Sequence, residues 1–294
     1  MRSTIHLVTA DDCVVLRPLL QPVLDAELAR HGEFAPLLVG VDLAPVLAVA
    51  RALFAERPRT GPELRDALAE TFPDTDARAL AYACRNHLPL VQVPPRGLWG
   101  RTSRVTTTTV ESWLGRPLMT NPSLDDVVLR YLGALGPGTV ADASTWSRLT
   151  GLRAVFERLR PQLRVFRDER GRELFDLPEA PRPDPDTPAP VRFLPEYDNV
   201  LLSHSHRSRF YGNRERVAAI RGGRVLGTVL HDGTVCAVWR TEQVGDGERV
   251  VLEIERVVPL TKRATSAIAA EGRRFLRFLH PDAGVRDVRV VAAG

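Results

Sequence analysis

The stretch TDARALAYACRNHLPLVQVPPRGLWG, residues 75–100, decides the fold. Its first half is helical by pattern: Asp74 or Thr75 can cap a helix on which Leu80, Cys84 and Leu88 share one face, predicted to be buried. Its second half runs Val91-Gln92-Val93, then Pro94-Pro95-Arg96-Gly97, then Leu98-Trp99. Proline at the second turn position and glycine at the fourth predict a type I turn closing a short hairpin. Two helical segments precede it, LAPVLAVARALF (43–54) and TGPELRDALAETF (60–72). Thr60 and Glu63 have capping-box spacing, with Pro62 in the tolerated first turn. Three helices and a hairpin spell a winged helix-turn-helix, a module that reads duplex DNA.

The plan recurs. DDVVLRYLGAL (125–135), TVADASTWSRL (139–149) and GLRAVFERL (151–159) are followed by LRVFRDERGRELFDL (163–177). Leu152, Val155, Phe156 and Leu159 predict a core stripe on the third of these helices. Residues that could face DNA are Arg78, Tyr82 and Arg85, at i, i+4 and i+7 on the first module's third helix. Arg96 stands at the predicted wing tip, with Arg101 and Arg104 just beyond. In the second module Arg153 and Arg160 point outward, but Glu157 stands between them and phosphate would repel it. Its wing tip, Asp168-Glu169-Arg170-Gly171-Arg172, is also mixed in sign. If one module grips DNA tightly, the first is expected to.

Outside the repeats, residues 1–41 open on Thr4-Ile5-His6-Leu7-Val8, predicted as a strand. A helix from about Ala10 to Arg30 follows, interrupted at Pro18 or Pro22. A strand so near the start needs a ladder partner, so this segment is expected to be the remnant of a truncated first module. The winged helices then occupy 42–118 and 119–177. Residues 178–195 contain seven prolines and predict a stiff, extended linker. Over 196–294 strands dominate. Arg224–Leu230 and Thr234–Trp239 flank His231-Asp232-Gly233, a strong hairpin signal. Val244-Gly245-Asp246-Gly247 turns into Arg249–Val257, and a helix from Lys262 to about Leu279 precedes a last strand, Val285–Val291. Gly222-Gly223 suits a hairpin turn and lacks the context of a phosphate loop. The fold class is therefore α+β: tandem winged helix-turn-helix modules, then a small domain with a curved antiparallel sheet.

Composition is that of an ordinary globular chain, with 294 residues, 44% of them hydrophobic and 26% charged. A net charge of +4 is compatible with a polyanionic partner without requiring one. Lys262 is the sole lysine, so the positive charge is carried by arginine, whose fork suits phosphate and guanine edges. No apolar run reaches membrane-spanning length, and Cys13, Cys84 and Cys236 lack ligand or disulfide spacing, which makes the cytoplasm, at the nucleoid, the expected location.

Four phrases carry a family resemblance: Ser3-Thr4-Ile5-His6-Leu7-Val8, LVQVPPRGLWGR (90–101), TVADASTWSRLTGLR (139–153) and RFLPEYDNVLLSHSHRSR (192–209). Together they resemble the actinobacterial winged helix DNA-binding domain-containing proteins. That family includes winged-helix DNA glycosylases that excise alkylated bases and unhook interstrand crosslinks. The resemblance spans nearly the whole chain and implies tandem winged helices, a β-rich C-terminal domain and a concave basic surface for duplex DNA. Glycosylase members carry a Gln-x-Gln or Gln-x-Asp motif upstream of the Thr-Ile-His strand. Gln21, Gln92, Gln162 and Gln243 form no such motif here, so the family's catalytic residues transfer to no position of this sequence.

Base excision needs a polar group to place water at the sugar C1′ and stabilise the charge developing there. The polar cluster available is Asp198, Asn199, His204 and His206, with Arg207 and Arg209 beside it. If Leu201–His206 is extended, His204 and His206 share a face. A carboxylate and two imidazoles so placed could move protons or bind a metal; alternatively they form a hydrogen-bonded polar corner of a DNA cleft. No metal and no cofactor is expected. His6 reads as a structural residue, and Trp99 and Trp113 as core plugs with base stacking as the alternative. The leading function is binding of double-stranded DNA, alkylated or crosslinked, by a monomer. The alternatives are a transcriptional regulator, an active glycosylase whose N-terminal catalytic segment lies outside this sequence, and a protein scaffold.

Overall fold

A computed structural model describes residues 4–212, 220–221, 224–245 and 248–292. Ser3, the Gly222-Gly223 turn and Asp246-Gly247 of the later turn lie outside the described residues. Contacts divide the chain into two compact units, Met1–Ala134 with Trp146–Leu177, and Leu135–Thr145 with Pro178–Gly294. Residues 135–145 of the 119–177 segment thus fall within the second unit.

In the first unit α1 (Ala10–Leu19) and α2 (Gln21–Arg30) break at Leu20, between the two prolines. Thr4–Val8 is not a strand. No ladder partner lies beside it among the described residues, so alternation alone leaves Ile5 and Leu7 in solvent, 71% and 94% exposed. Next come α3 (Leu43–Glu56), β1 (Arg59–Thr60), α4 (Gly61–Thr71), α5 (Ala77–His87), β2 (Leu90–Gln92) and β3 (Thr106–Thr109). The Thr60 cap forms as its spacing predicts: Glu63 accepts from the Thr60 backbone N–H at 2.7 Å. That bond, with the Thr60 hydroxyl and Arg57, draws the Glu63 carboxyl down to about 2. Val46, Ala50, Phe54, Leu64, Leu68, Leu80, Cys84 and Leu88 form one core, and the strands order β1-β3-β2.

Leu98-Trp99 is not the return strand of the predicted hairpin. Thr106–Thr109 takes that place, pairing Val91 with Thr108, whose hydroxyl is buried on the Phe54 carbonyl at 3.0 Å. Four β-branched residues suit a strand, and their polarity hides them from a search for apolar alternation. After α6 (Val110–Leu114) come α7 (Leu124–Leu135), α8 (Val140–Ser147), most of which belongs to the second unit, α9 (Leu152–Leu159) and the antiparallel pair β4 (Arg164–Arg167) and β5 (Glu173–Asp176). Leu152, Val155, Phe156 and Leu159 are buried as the stripe predicts, with Phe156 against Phe175.

The second unit contains β6 (Arg192–Leu194), α10 (Asn199–Leu202), α11 (Ser208–Tyr211), and the short pair β7 (Ile220–Arg221) and β8 (Arg224–Val225). Then follow β9 (Gly227–His231), β10 (Thr234–Val244), β11 (Arg249–Arg256), α12 (Lys262–Leu279) and β12 (Val285–Val291). Its main sheet orders β12-β11-β10-β9-β6. Asp232 and Gly233, at φ 48° and 72°, make the tight β9–β10 turn that the Asp-Gly pair predicts. The sheet is not wholly antiparallel: β12 pairs parallel with β11, because α12 crosses over the sheet and returns the chain in its original direction. Ile268 and Leu276 of α12 bury against Leu252 and Ile254 of β11.

Candidate nucleic-acid interface

Helix α5 is held on two sides. Leu80, Cys84 and Leu88 face the core, as predicted. The segment after α2 covers part of the face expected to meet DNA, chiefly at Tyr82, while Arg78 and Arg85 stay exposed. The Tyr82 ring lies 4.4 Å from His31 and 4.9 Å from Phe34. Arg78 pairs with Glu33 and lies over Phe34. Arg85 lies over Tyr82 at 4.7 Å and keeps an exposed edge. Helical spacing placed these three together correctly, but what covers them lies some 45 residues upstream in sequence.

The loop between β2 and β3 is different. Arg96, Arg101 and Arg104 are all exposed, and Arg101 and Arg104 have no ion pair among the described residues. Arg96 donates to the Ser103 carbonyl at 3.2 Å. No acidic residue occurs between Asp76 and Glu111, so nothing within this stretch competes with phosphate for these cations. The predicted turn is displaced by one residue: Leu98 N–H donates to the Pro95 carbonyl at 3.2 Å, and Gly97 adopts φ 90°. Positive φ in the third position is the type II arrangement, which calls for glycine there. Trp99 and Trp113 are not core plugs; they are 68% and 49% exposed.

Two of the four cations of the second set, Arg160 and Arg172, are paired with nearby acids. Arg160 pairs with Glu157 at 2.8 Å and Glu173 at 3.0 Å, and these bonds raise its pKa further. Arg172 pairs with Asp168 at 2.7 Å. Arg153 and Arg170 remain exposed.

The 198–209 cluster does not assemble as expected. Leu201–His206 is not extended, because Asp198 caps α10 by accepting from the Val200 N–H at 2.8 Å. His204 and His206 therefore do not share a face: His204 is buried and His206 is exposed. His204 Nδ1 lies 2.5 Å from Ser203 Oγ, which donates to the Val200 carbonyl at 2.7 Å. Arg209 Nη1 lies 3.1 Å from His204 Nε2. Ser203 and Arg209 thus meet the two ring nitrogens of His204. Burial first, then the Arg209 cation, hold the His204 pKa below its ordinary value. Among the described residues no group of three or more His, Cys, Asp or Glu is arranged to hold a metal ion.

The residue that organises this corner was not singled out from the sequence. Asp142 is buried; one carboxylate oxygen accepts from the Ser205 N–H at 2.8 Å and its hydroxyl at 2.6 Å. The other accepts from the Thr139 N–H at 2.9 Å and its hydroxyl at 2.8 Å. Thr139-x-x-Asp142 has capping spacing, which was the available signal; its bond to Ser205 across 63 positions left none. Two further features also escaped. Tyr197, 69% exposed, holds φ 60°, a strained setting for a residue with a Cβ. Lys262, Arg263, Arg273, Arg274 and Arg277 line the exposed side of α12, where Glu271, paired with Arg274, is the sole acid.

A mixed helix–sheet fold with an exposed, acid-free arginine loop defines a protein suited to a polyanion. The sequence model of the family described as DNA glycosylase AlkZ-like matches residues 1–278, and the chain belongs to that family. Among solved structures it is similar to Streptomyces sahachiroi DNA glycosylase AlkZ, at 21% identity and a TM-score of 0.68, over 99% of this chain and 80% of that one. A search of curated proteins finds no match. The family implies DNA as partner, and among the described residues no helix is long and apolar enough to cross a membrane.

Proposed function

We propose that this protein is a winged-helix member of its family that grips double-stranded DNA through two modules. In this reading it acts as a cytoplasmic, nucleoid-associated monomer on alkylated or crosslinked duplex. The observation that carries the reading is the absence of acid from 77 to 110, which leaves Arg85, Arg96, Arg101 and Arg104 available to phosphate. The winged-helix assignment is supported by the order of α3, β1, α4, α5, β2 and β3 and by the β1-β3-β2 sheet. Helices α7–α9 followed by the β4–β5 pair support a second module. Asp198 and His204 are engaged in capping and hydrogen bonding, which favours the polar-corner reading of their cluster over a catalytic one.

Duplex affinity measured against salt tests this. Neutralising five phosphates would give a log–log slope near −4.5, at about −0.9 per contact. Replacing Arg96 and Arg101 with alanine is expected to flatten that slope by up to about 2; an unchanged slope removes the loop from the interface. The alternative reading, an active glycosylase, requires that incubation with alkylated and crosslinked duplex leave abasic sites. Failure to do so across several lesion types confines the protein to binding.

A further inference from the structure

We propose that the β2–β3 loop is a wedge. Leu98 and Trp99 enter the base stack of a bound duplex while Arg96, Arg101 and Arg104 engage the flanking phosphates. The inference rests on the duplex-binding reading above and adds to it a residue that distorts or senses the stack.

Two consecutive turns build the tip. The Leu98 N–H donates to the Pro95 carbonyl at 3.2 Å, and the Arg101 N–H to the Leu98 carbonyl at 3.1 Å. Gly97 at φ 90° and Gly100 at φ 65° bracket the dipeptide, and each would strain any residue carrying a Cβ. The backbone therefore presents Leu98 and Trp99 at a fixed apex, 52% and 68% exposed. Leaving a leucine and an indole in water forgoes their burial, which is ordinarily among the larger favourable contributions to folding. Their neighbours identify the occupant. Every charged side chain within eight positions of Trp99 is an arginine, so the complementary surface is anionic on its outside and flat and apolar within. Stacked base pairs between phosphate rails have that character, and inserted apolar side chains with flanking arginines are a general device for unstacking a step. An acidic protein groove is the competing occupant, and the experiment separates the two.

The test uses the full chain and a duplex carrying a fluorescent adenine analogue, quenched while stacked, at successive positions. Saturating wild-type protein is expected to raise emission at one or two adjacent positions. Trp99→Ala is expected to abolish that rise and weaken binding by about 5–150-fold, the range for losing one base–aromatic stack. Its salt slope should stay at the wild-type value because no phosphate contact is lost. Trp99→Phe is expected to restore most of the emission change. Melting temperatures of both variants are measured alongside, so that any loss of folding is separated from loss of binding. Wild-type binding without an emission change, or Trp99→Ala affinity within twofold of wild type, overturns the wedge alone. Wild-type protein that binds no duplex overturns both the wedge and the reading beneath it.

Discussion

Asp142 shows how much one carboxylate can organise. Burial opposes its ionisation, yet the bonds from Ser205 and Thr139 outweigh that and hold its pKa below the ordinary value. Asp142→Ala would strand two backbone N–H groups and two hydroxyls, and hydrogen bonds to a charged group are worth about 1.5–3 kcal/mol each. A loss of about 3 kcal/mol in urea unfolding is expected, with Asp142→Asn losing less; an alanine variant within 0.5 kcal/mol, about the scatter of surface substitutions, would refute this. His204, in the same corner, faces Arg209, the Asp142 carboxylate and the carbonyls of Leu135 and Pro137. Its folded pKa lies below the ordinary 6.5, so the unfolded chain takes up a proton that the folded chain refuses. The contribution is therefore complete above about pH 6.5 and is lost as pH falls through the folded pKa. The urea midpoint should drop between pH 7 and 5 more steeply for wild type than for His204→Gln; parallel curves would show that His204 does not titrate differently on folding.

Among the elements, the β9–β10 pair and α12 depend on a close approach. A Cβ on Gly227 would lie 2.2 Å from Trp239 Cε2, and Trp239 cannot readily yield. Its Nε1 donates to the Leu194 carbonyl at 2.9 Å, and its ring meets Phe275 of α12 edge-on at 4.8 Å. Gly227→Ala is expected to cost about 1–3 kcal/mol, the usual penalty for overpacking, and to lower the melting temperature. A variant as stable as wild type would mean that the indole has another place to go. The exposed tip of the β2–β3 loop contrasts with it: Arg96, Arg101 and Arg104 stand in solvent, so their substitution should change binding far more than stability. Helix α5 lies between these cases, with its core face committed and its outer face half-covered.

Across the whole molecule, the chain leaves one unit and returns to it. Leu135–Thr145 packs with the second unit before Trp146–Leu177 rejoins the first. The proline-rich segment that then leads back is exposed throughout 181–190, and a Glu- or Asp-specific protease should cut first near it. Because the N-terminal fragment carries Leu135–Thr145, the nicked halves are expected to co-elute in gel filtration. Separation under native conditions would show that those contacts do not hold the second unit together.

Helices α3–α5 and α7–α9, the buried stripes of α5 and α9, the Thr60 cap and the Asp-Gly hairpin were legible in the sequence. Each rests on a period or a turn preference acting over a few residues. So did the basic loop, since charge in a stretch without acid needs no fold to be noticed. The Thr106–Thr109 return strand, the parallel setting of β12, the cover over Tyr82 and the Asp142–Ser205 link were decided only in three dimensions. Each joins segments distant in sequence, and a pattern within one segment carries no record of the partner that will pair with it, cover it or satisfy its hydrogen bonds.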